Sequence, residues 1–128
     1  RCAQMSPDKI VYVNMHGPSP PLGDLAECFA VREVFGEHVP QMVLNSTKSM
    51  IGHLMGAGPA VESIAILMSM RDGLVHPTIN LENLDPQIPQ DWNFAAHGPV
   101  HREINAAISN SFGFGGHNVT LLYKKFHQ

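Results

Sequence analysis

The chain has 128 residues, enough for one domain with one core. At 44% hydrophobic and 15% charged residues it is globular rather than disordered. A formal net charge of −3 gives no basis for binding nucleic acid or an anionic membrane.

In chain order, Ile10–Val13 is a short β-branched run after Ser6-Pro7-Asp8 and predicts a buried strand. The segment from His16 to Pro21 contains three prolines, which fix φ and remove donors, so no regular structure is expected there. A helix is predicted from Gly23 to Phe35, with Leu25, Cys28, Phe29, Val31 and Val34 on its buried side and Gly36 ending it. Met42–Leu44 predicts a second strand and Asn45–Ser49 a polar turn. The longest helix is predicted from His53 to Arg71. Its near-continuous apolar residues leave almost no polar face, so burial on most sides is expected. Gly56, Gly58, Pro59 and Glu62 interrupt that apolar run, which excludes a membrane span. Gly73 closes the helix, and Leu81–Gly98 reads as a long surface loop. Ile104–Ser109 and Asn118–Tyr123 predict two strands, joined tightly through Gly113–Gly116 as an antiparallel hairpin. The expectation is an α/β chain with a mixed sheet. The most buried helix needs a second sheet to cover it, which points to a missing half. No signal peptide is recognisable, and with Arg1 at its head the chain is expected to belong to a longer one.

Cys2 and Cys28 show neither C-x-x-C spacing nor a zinc-ligand set and read as free thiols, a lone disulfide being the alternative. His97 and His101 are four apart, but Gly98-Pro99 breaks any helix between them, and no metal site is expected. His16 and His53 each stand beside a glycine at the junction of predicted elements. There a neutral imidazole can donate to a developing oxyanion, the more so at a helix N-terminus, whose positive field favours the neutral form. The alternative is a structural histidine at either position. Glu62, alone in an apolar helix, needs a partner, and Lys48 is available; an exposed lysine and a rim glutamate are the alternative. Phe112-Gly113-Phe114-Gly115-Gly116 sets two rings among glycines whose free N–H groups can meet an anion, or else forms a plain hairpin turn. It enters a strand rather than a helix, so it is not a dinucleotide fingerprint.

Taken in order, Asn14-Met15-His16-Gly17, Gly23-Asp24, Thr47 to His53, Pro77-Thr78-Ile79-Asn80 and Asn110 to Asn118 resemble the C-terminal part of the elongating β-ketoacyl-acyl carrier protein synthases, over nearly the whole chain. Met50 favours the fatty-acid branch over modular polyketide ketosynthases. The resemblance implies a thiolase-like fold, five layers in the complete enzyme, of which residues 1–128 would be most of the C-terminal half, without the cysteine nucleophile. It implies an acyltransferase that condenses a cysteine-bound acyl group with malonyl-acyl carrier protein in fatty-acid elongation, and that is inactive as this chain alone. His16 and His53 would be the active-site histidines, Lys48 the active-site lysine and Glu62 its partner. Phe114 would be the gate, and its N–H part of the oxyanion site, with Phe112, Gly113, Gly115 and Gly116 around it. Pro18 and Pro20, flanking Ser19, stand where the family usually has the threonines that bind the phosphopantetheine arm. Acyl carrier protein is the implied partner, in a homodimer, with no cofactor, no metal, and a cytoplasmic, plastid or mitochondrial setting. The alternatives are a non-catalytic partner subunit of chain-length-factor type and a polyketide ketosynthase fragment.

Overall fold

The computed structural model describes residues 3–126. Cys2, expected to be a free thiol, lies outside them. Strand β1 (Tyr12–Asn14) runs parallel to β2 (Val43–Asn45) on one side and to β5 (Ala106–Gly113) on the other, and β5 pairs antiparallel with β6 (His117–Lys124). The result is the expected mixed sheet, in the order β2-β1-β5-β6. β3 (Leu74–Val75) and β4 (Val100–His101) add a two-stranded antiparallel sheet that the sequence did not signal, because two-residue strands carry no readable period.

Alternation along the strands builds two cores. Val13, Leu44, Ala106 and Ile108 face α1 (Pro21–Phe35), with Cys28 and Val31, and the loop residues Ile88 and Trp92 complete that cluster. Tyr12, Val43 and Ala107 face α3 (Gly58–Asp72), with Ile66 and Met70. The helices therefore cover opposite faces of one sheet, each buried by one stripe only.

Several expectations need correction. Helix α1 begins at Pro21, two residues early, because proline is tolerated at a first helical position. Phe29 and Val34 are exposed rather than buried, since only the Glu27–Cys28–Val31 stripe meets the sheet. The predicted polar turn carries the single-turn helix α2 (Lys48–Ile51). The long helix does not start at His53: a 3-10 turn, Met55–Ala57, intervenes, and α3 starts at Gly58. Nor is α3 buried on most sides. Ile66 is fully buried, whereas Ile64, Leu67 and Met68 are about half exposed. Among the described residues nothing covers its outer apolar face. The segment 81–98 is a loop, but not a surface one throughout: Ile88, Trp92 and Ala95 are buried, and the Asn93 carbonyl accepts from the Leu44 N–H at 2.8 Å along the outer edge of β2. Gly36 (φ 55°) and Gly73 (φ 64°) end their helices as expected. No helix is long and apolar enough to cross a membrane among the described residues.

Candidate active site

β1 ends in the buried Asn14, and the chain then turns through Met15 and His16. Asn14 is the hub of a polar network inside the α3-side core. Its Nδ2 donates to Glu62 Oε2 (3.2 Å) and Ser109 Oγ (3.1 Å), and its Oδ1 accepts from the Thr47 N–H (3.0 Å) and hydroxyl (2.7 Å). Lys48 Nζ donates to Glu62 Oε1 at 2.6 Å. The glutamate predicted to need a partner thus has the predicted one, and a second acceptor bond as well.

On the other face, Glu27 is buried in a stripe of apolar α1 residues. Its carboxylate accepts from the backbone N–H groups of His16 (2.8 Å) and Gly17 (3.0 Å) and from Asn110 Nδ2 (2.9 Å). Thr120 donates to Asn110 Oδ1 (2.8 Å), fixing that amide's orientation. Burial raises the Glu27 pKa, and those donors oppose the rise. Gly17 (φ 40°) sits so close to Ser46 that an added Cβ would lie 2.8 Å from its Cβ, so this turn requires glycine.

The His16 and His53 rings stand edge to face, 5.7 Å between centroids, and Phe112 packs on His16 at 5.4 Å. Desolvation, then the positive Lys48 and then His53 lower the His16 pKa, favouring neutral imidazole. His16 Nδ1 is buried without a hydrogen-bond partner. The helix-terminus explanation offered for His53 does not hold, because no α-helix starts there. Instead the Met55 N–H donates to His53 Nδ1 at 3.0 Å. In the neutral ring this leaves the proton on Nε2, ready to donate.

His16, His53, Lys48, Glu62 and Phe112 therefore come together. The Phe114 ring does not: it is 99% exposed at the tip of the β5–β6 connection, where Gly115 (φ 80°) and Gly116 (φ 82°) are left-handed. Gly113 is the last residue of β5. A cavity of about 710 Å³ opens beside Lys48 and His53, lined also by Pro18, Ser19, Thr78 and Cys28. Pro20 is not on its wall. The buried Cys28 thiol is pushed up to about 12 by desolvation and by Glu27, Asp24 and Asp85, which disqualifies it as a nucleophile. Among the described residues no cluster of histidine, cysteine and carboxylate side chains could hold a metal ion.

Asn14, Thr47, Glu27 and Asn110 were not singled out as site residues. For Glu27 a signal existed, the same one that picked Glu62: a carboxylate next to helix positions that must be buried. For the amides there was none, since an asparagine in a short strand reads as a turn residue.

The family described as the C-terminal domain of β-ketoacyl synthases matches residues 1–82. The chain is 42% identical over 122 residues to the 3-oxoacyl-[acyl-carrier-protein] synthase 2 of Synechocystis sp., covering 95% of this chain and 29% of that protein. It is 44% identical over 126 residues to the chloroplastic 3-oxoacyl-[acyl-carrier-protein] synthase I of Hordeum vulgare, covering 98% and 27%. Among solved structures it superposes with a TM-score of 0.92, at 33% identity, on a chain from a type II polyketide ketosynthase complexed with its acyl-carrier protein, covering 98% of this chain and 30% of that one. The fold is thus that of the thiolase-like ketosynthases. The chain spans under a third of the length of these relatives.

Proposed function

This chain belongs to the β-ketoacyl synthase family, and from that premise we propose that it supplies the decarboxylating part of the active site of a 3-oxoacyl-[acyl-carrier-protein] synthase in fatty-acid elongation. The observation that carries the reading is the pair of imidazoles 5.7 Å apart, with His53 held as the Nε2–H donor and His16 biased to its neutral form. When a malonyl thioester loses carbon dioxide, the bonding pair moves onto the α-carbon and the thioester oxygen. Two neutral donors stabilise that enolate oxygen without a charged side chain having to be desolvated. The carbanion then attacks an acyl group held on a cysteine, which leaves as thiolate. Cys28 cannot be that cysteine, and in this reading the nucleophile comes from the other half of the enzyme, so the 128 residues alone are expected to be inactive. In this reading the substrates arrive on acyl carrier protein. The cavity beside Lys48 and His53 admits the arm past Pro18 and Ser19, and Phe114 closes over it when the rest of the enzyme is present. A homodimer is part of the same proposal.

A polyketide ketosynthase is the second reading, supported by the 0.92 superposition. The higher identity to fatty-acid synthases favours the first. The test is release of carbon dioxide from malonyl-acyl carrier protein by the full-length protein, with His53→Ala and His16→Ala alongside. Decarboxylation that survives both substitutions sinks the reading.

A further inference from the structure

His76 lies just after β3 and is half-buried. It belongs to none of the predicted site positions. Its backbone carbonyl accepts from Asn45 Nδ2 at 2.8 Å, and Asn45 Oδ1 in turn accepts from the Tyr12 hydroxyl at 3.0 Å, so the residue is tied to β2 and β1. Its ring Nε2 is 3.0 Å from Thr47 Oγ1.

The direction of that last bond follows from its neighbours. A carboxylate only accepts, so the Asn14 atom facing Glu62 is Nδ2, and the atom facing Thr47 is Oδ1. The Thr47 N–H also points at that Oδ1, which confirms the orientation. Asn14 Oδ1 therefore takes the single hydroxyl proton of Thr47, at 2.7 Å. With its proton committed, the Thr47 oxygen meets His76 as an acceptor, and only the Nε2–H tautomer places a proton between them, with Nδ1 then accepting from Asn45 Nδ2 at 3.3 Å. The competing tautomer, Nδ1–H donating to the Pro77 carbonyl at 3.1 Å, would set two lone pairs against each other at 3.0 Å. A one-way chain of donors results: His76 Nε2–H to Thr47, Thr47 to Asn14, Asn14 to Glu62, with Lys48 closing on the other carboxylate oxygen.

We propose that His76 is a positioning residue, whose Nε2–H holds the Thr47 hydroxyl so that Asn14 and the Glu62–Lys48 pair keep their orientation beside His16. Its bearing on catalysis rests on the function proposed above, because Lys48 and Glu62 act on His16 through their charges. Among the described residues no other group stands within hydrogen-bond reach as a donor to the Thr47 oxygen. Without that donor the hydroxyl is free to rotate away from Asn14.

The test uses the full-length protein with labelled histidine rings and asparagine side chains, as wild type, His76→Gln and His76→Leu. Glutamine offers an N–H at about the reach of Nε2, and leucine none. The expected results are a protonated His76 Nε2, Asn14 side-chain resonances that move in the leucine variant and return in the glutamine variant, and a kcat for malonyl decarboxylation about fivefold to tenfold lower in leucine alone, at unchanged KM. A ring protonated on Nδ1 only, or Asn14 resonances indifferent to leucine, would overturn the proposal. So would equal loss of kcat in both variants. The resonances decide it even if the wild type fails to decarboxylate malonyl, an outcome that would strike the functional reading alone.

Discussion

Lys48 Nζ lies 2.6 Å from Glu62 Oε1 with side chains only 7% and 1% exposed, so the two charges have little but each other and Asn14. Desolvation of such a pair is tolerable while both members are present. Removing one leaves an uncompensated charge in the core. Lys48→Met should cost about 3–5 kcal/mol of unfolding free energy, and Lys48→Met with Glu62→Leu should recover most of it. Chemical denaturation of the three proteins checks this. Equal stability of the single and double variants would contradict it.

Stability should depend on pH through His16. Its folded pKa is lowered, so between that value and the unfolded value near 6.5 the unfolded chain binds more protons. The contribution is fully present above pH 6.5 or so and is lost as pH falls through the folded value. His16→Gln should flatten the slope of unfolding free energy against pH on that acid side. An unchanged slope would show that His16 titrates as in water.

The Glu27 carboxylate gathers three donors on two oxygens, and amidation must turn one oxygen into a donor facing another donor. Glu27→Gln should therefore destabilise the chain by about 1–3 kcal/mol, in the range for a buried unsatisfied group. Loss of amide-exchange protection at His16 and Gly17 should accompany it. A fall in stability with both amides still protected would place the damage elsewhere.

Phe114 touches nothing that substitution would expose, so Phe114→Ala should change the stability of this chain by no more than about 0.5 kcal/mol. In the full-length protein the same change should let malonyl-carrier protein bind without a prior acyl group, if the ring is the gate. An order-of-addition binding measurement decides. Binding order that stays the same would remove the gating role.

The two faces of α3 offer a contrast. Ile66→Ala should cost about 2–5 kcal/mol in this chain, whereas Leu67→Ala, one residue on, should fall within about 0.5 kcal/mol. In the full-length protein Leu67→Ala should become costly too, because the outer face would then be covered. A Leu67 effect equally small in both would show that nothing packs there.

How far the sequence could be read is visible in these residues. The mixed sheet followed from strands separated by helices and the hairpin from the short glycine link between the last two strands, while the alternation of Tyr12-Val13 and Ala107-Ile108 divides them between the two cores. The Lys48–Glu62 pairing followed from the cost of burying a lone carboxylate. The start of α3 was missed because Gly56, Gly58 and Pro59 were read only as interruptions of an apolar run, whereas Pro59 stands in the first turn of the helix. The burial of Trp92 was missed because a loop acquires its inside only from the sheet edge it closes. His76 carried no signal, as its meaning lies in a bond direction set by three other side chains.

β5 carries neighbouring polar residues on opposite faces: Ser109 meets Asn14 on the α3 side, and Asn110 meets Glu27 on the α1 side. Strand pairing with one residue of slip would turn each toward the wrong helix. Asn14 and Glu27 would then lose partners at once, each at roughly 1–3 kcal/mol. Apolar neighbours such as Ala106, Ala107 and Ile108 tolerate such a slip far better, because one small hydrophobe resembles another. The buried amides and carboxylates thus select the native alignment of the sheet over its one-residue slips.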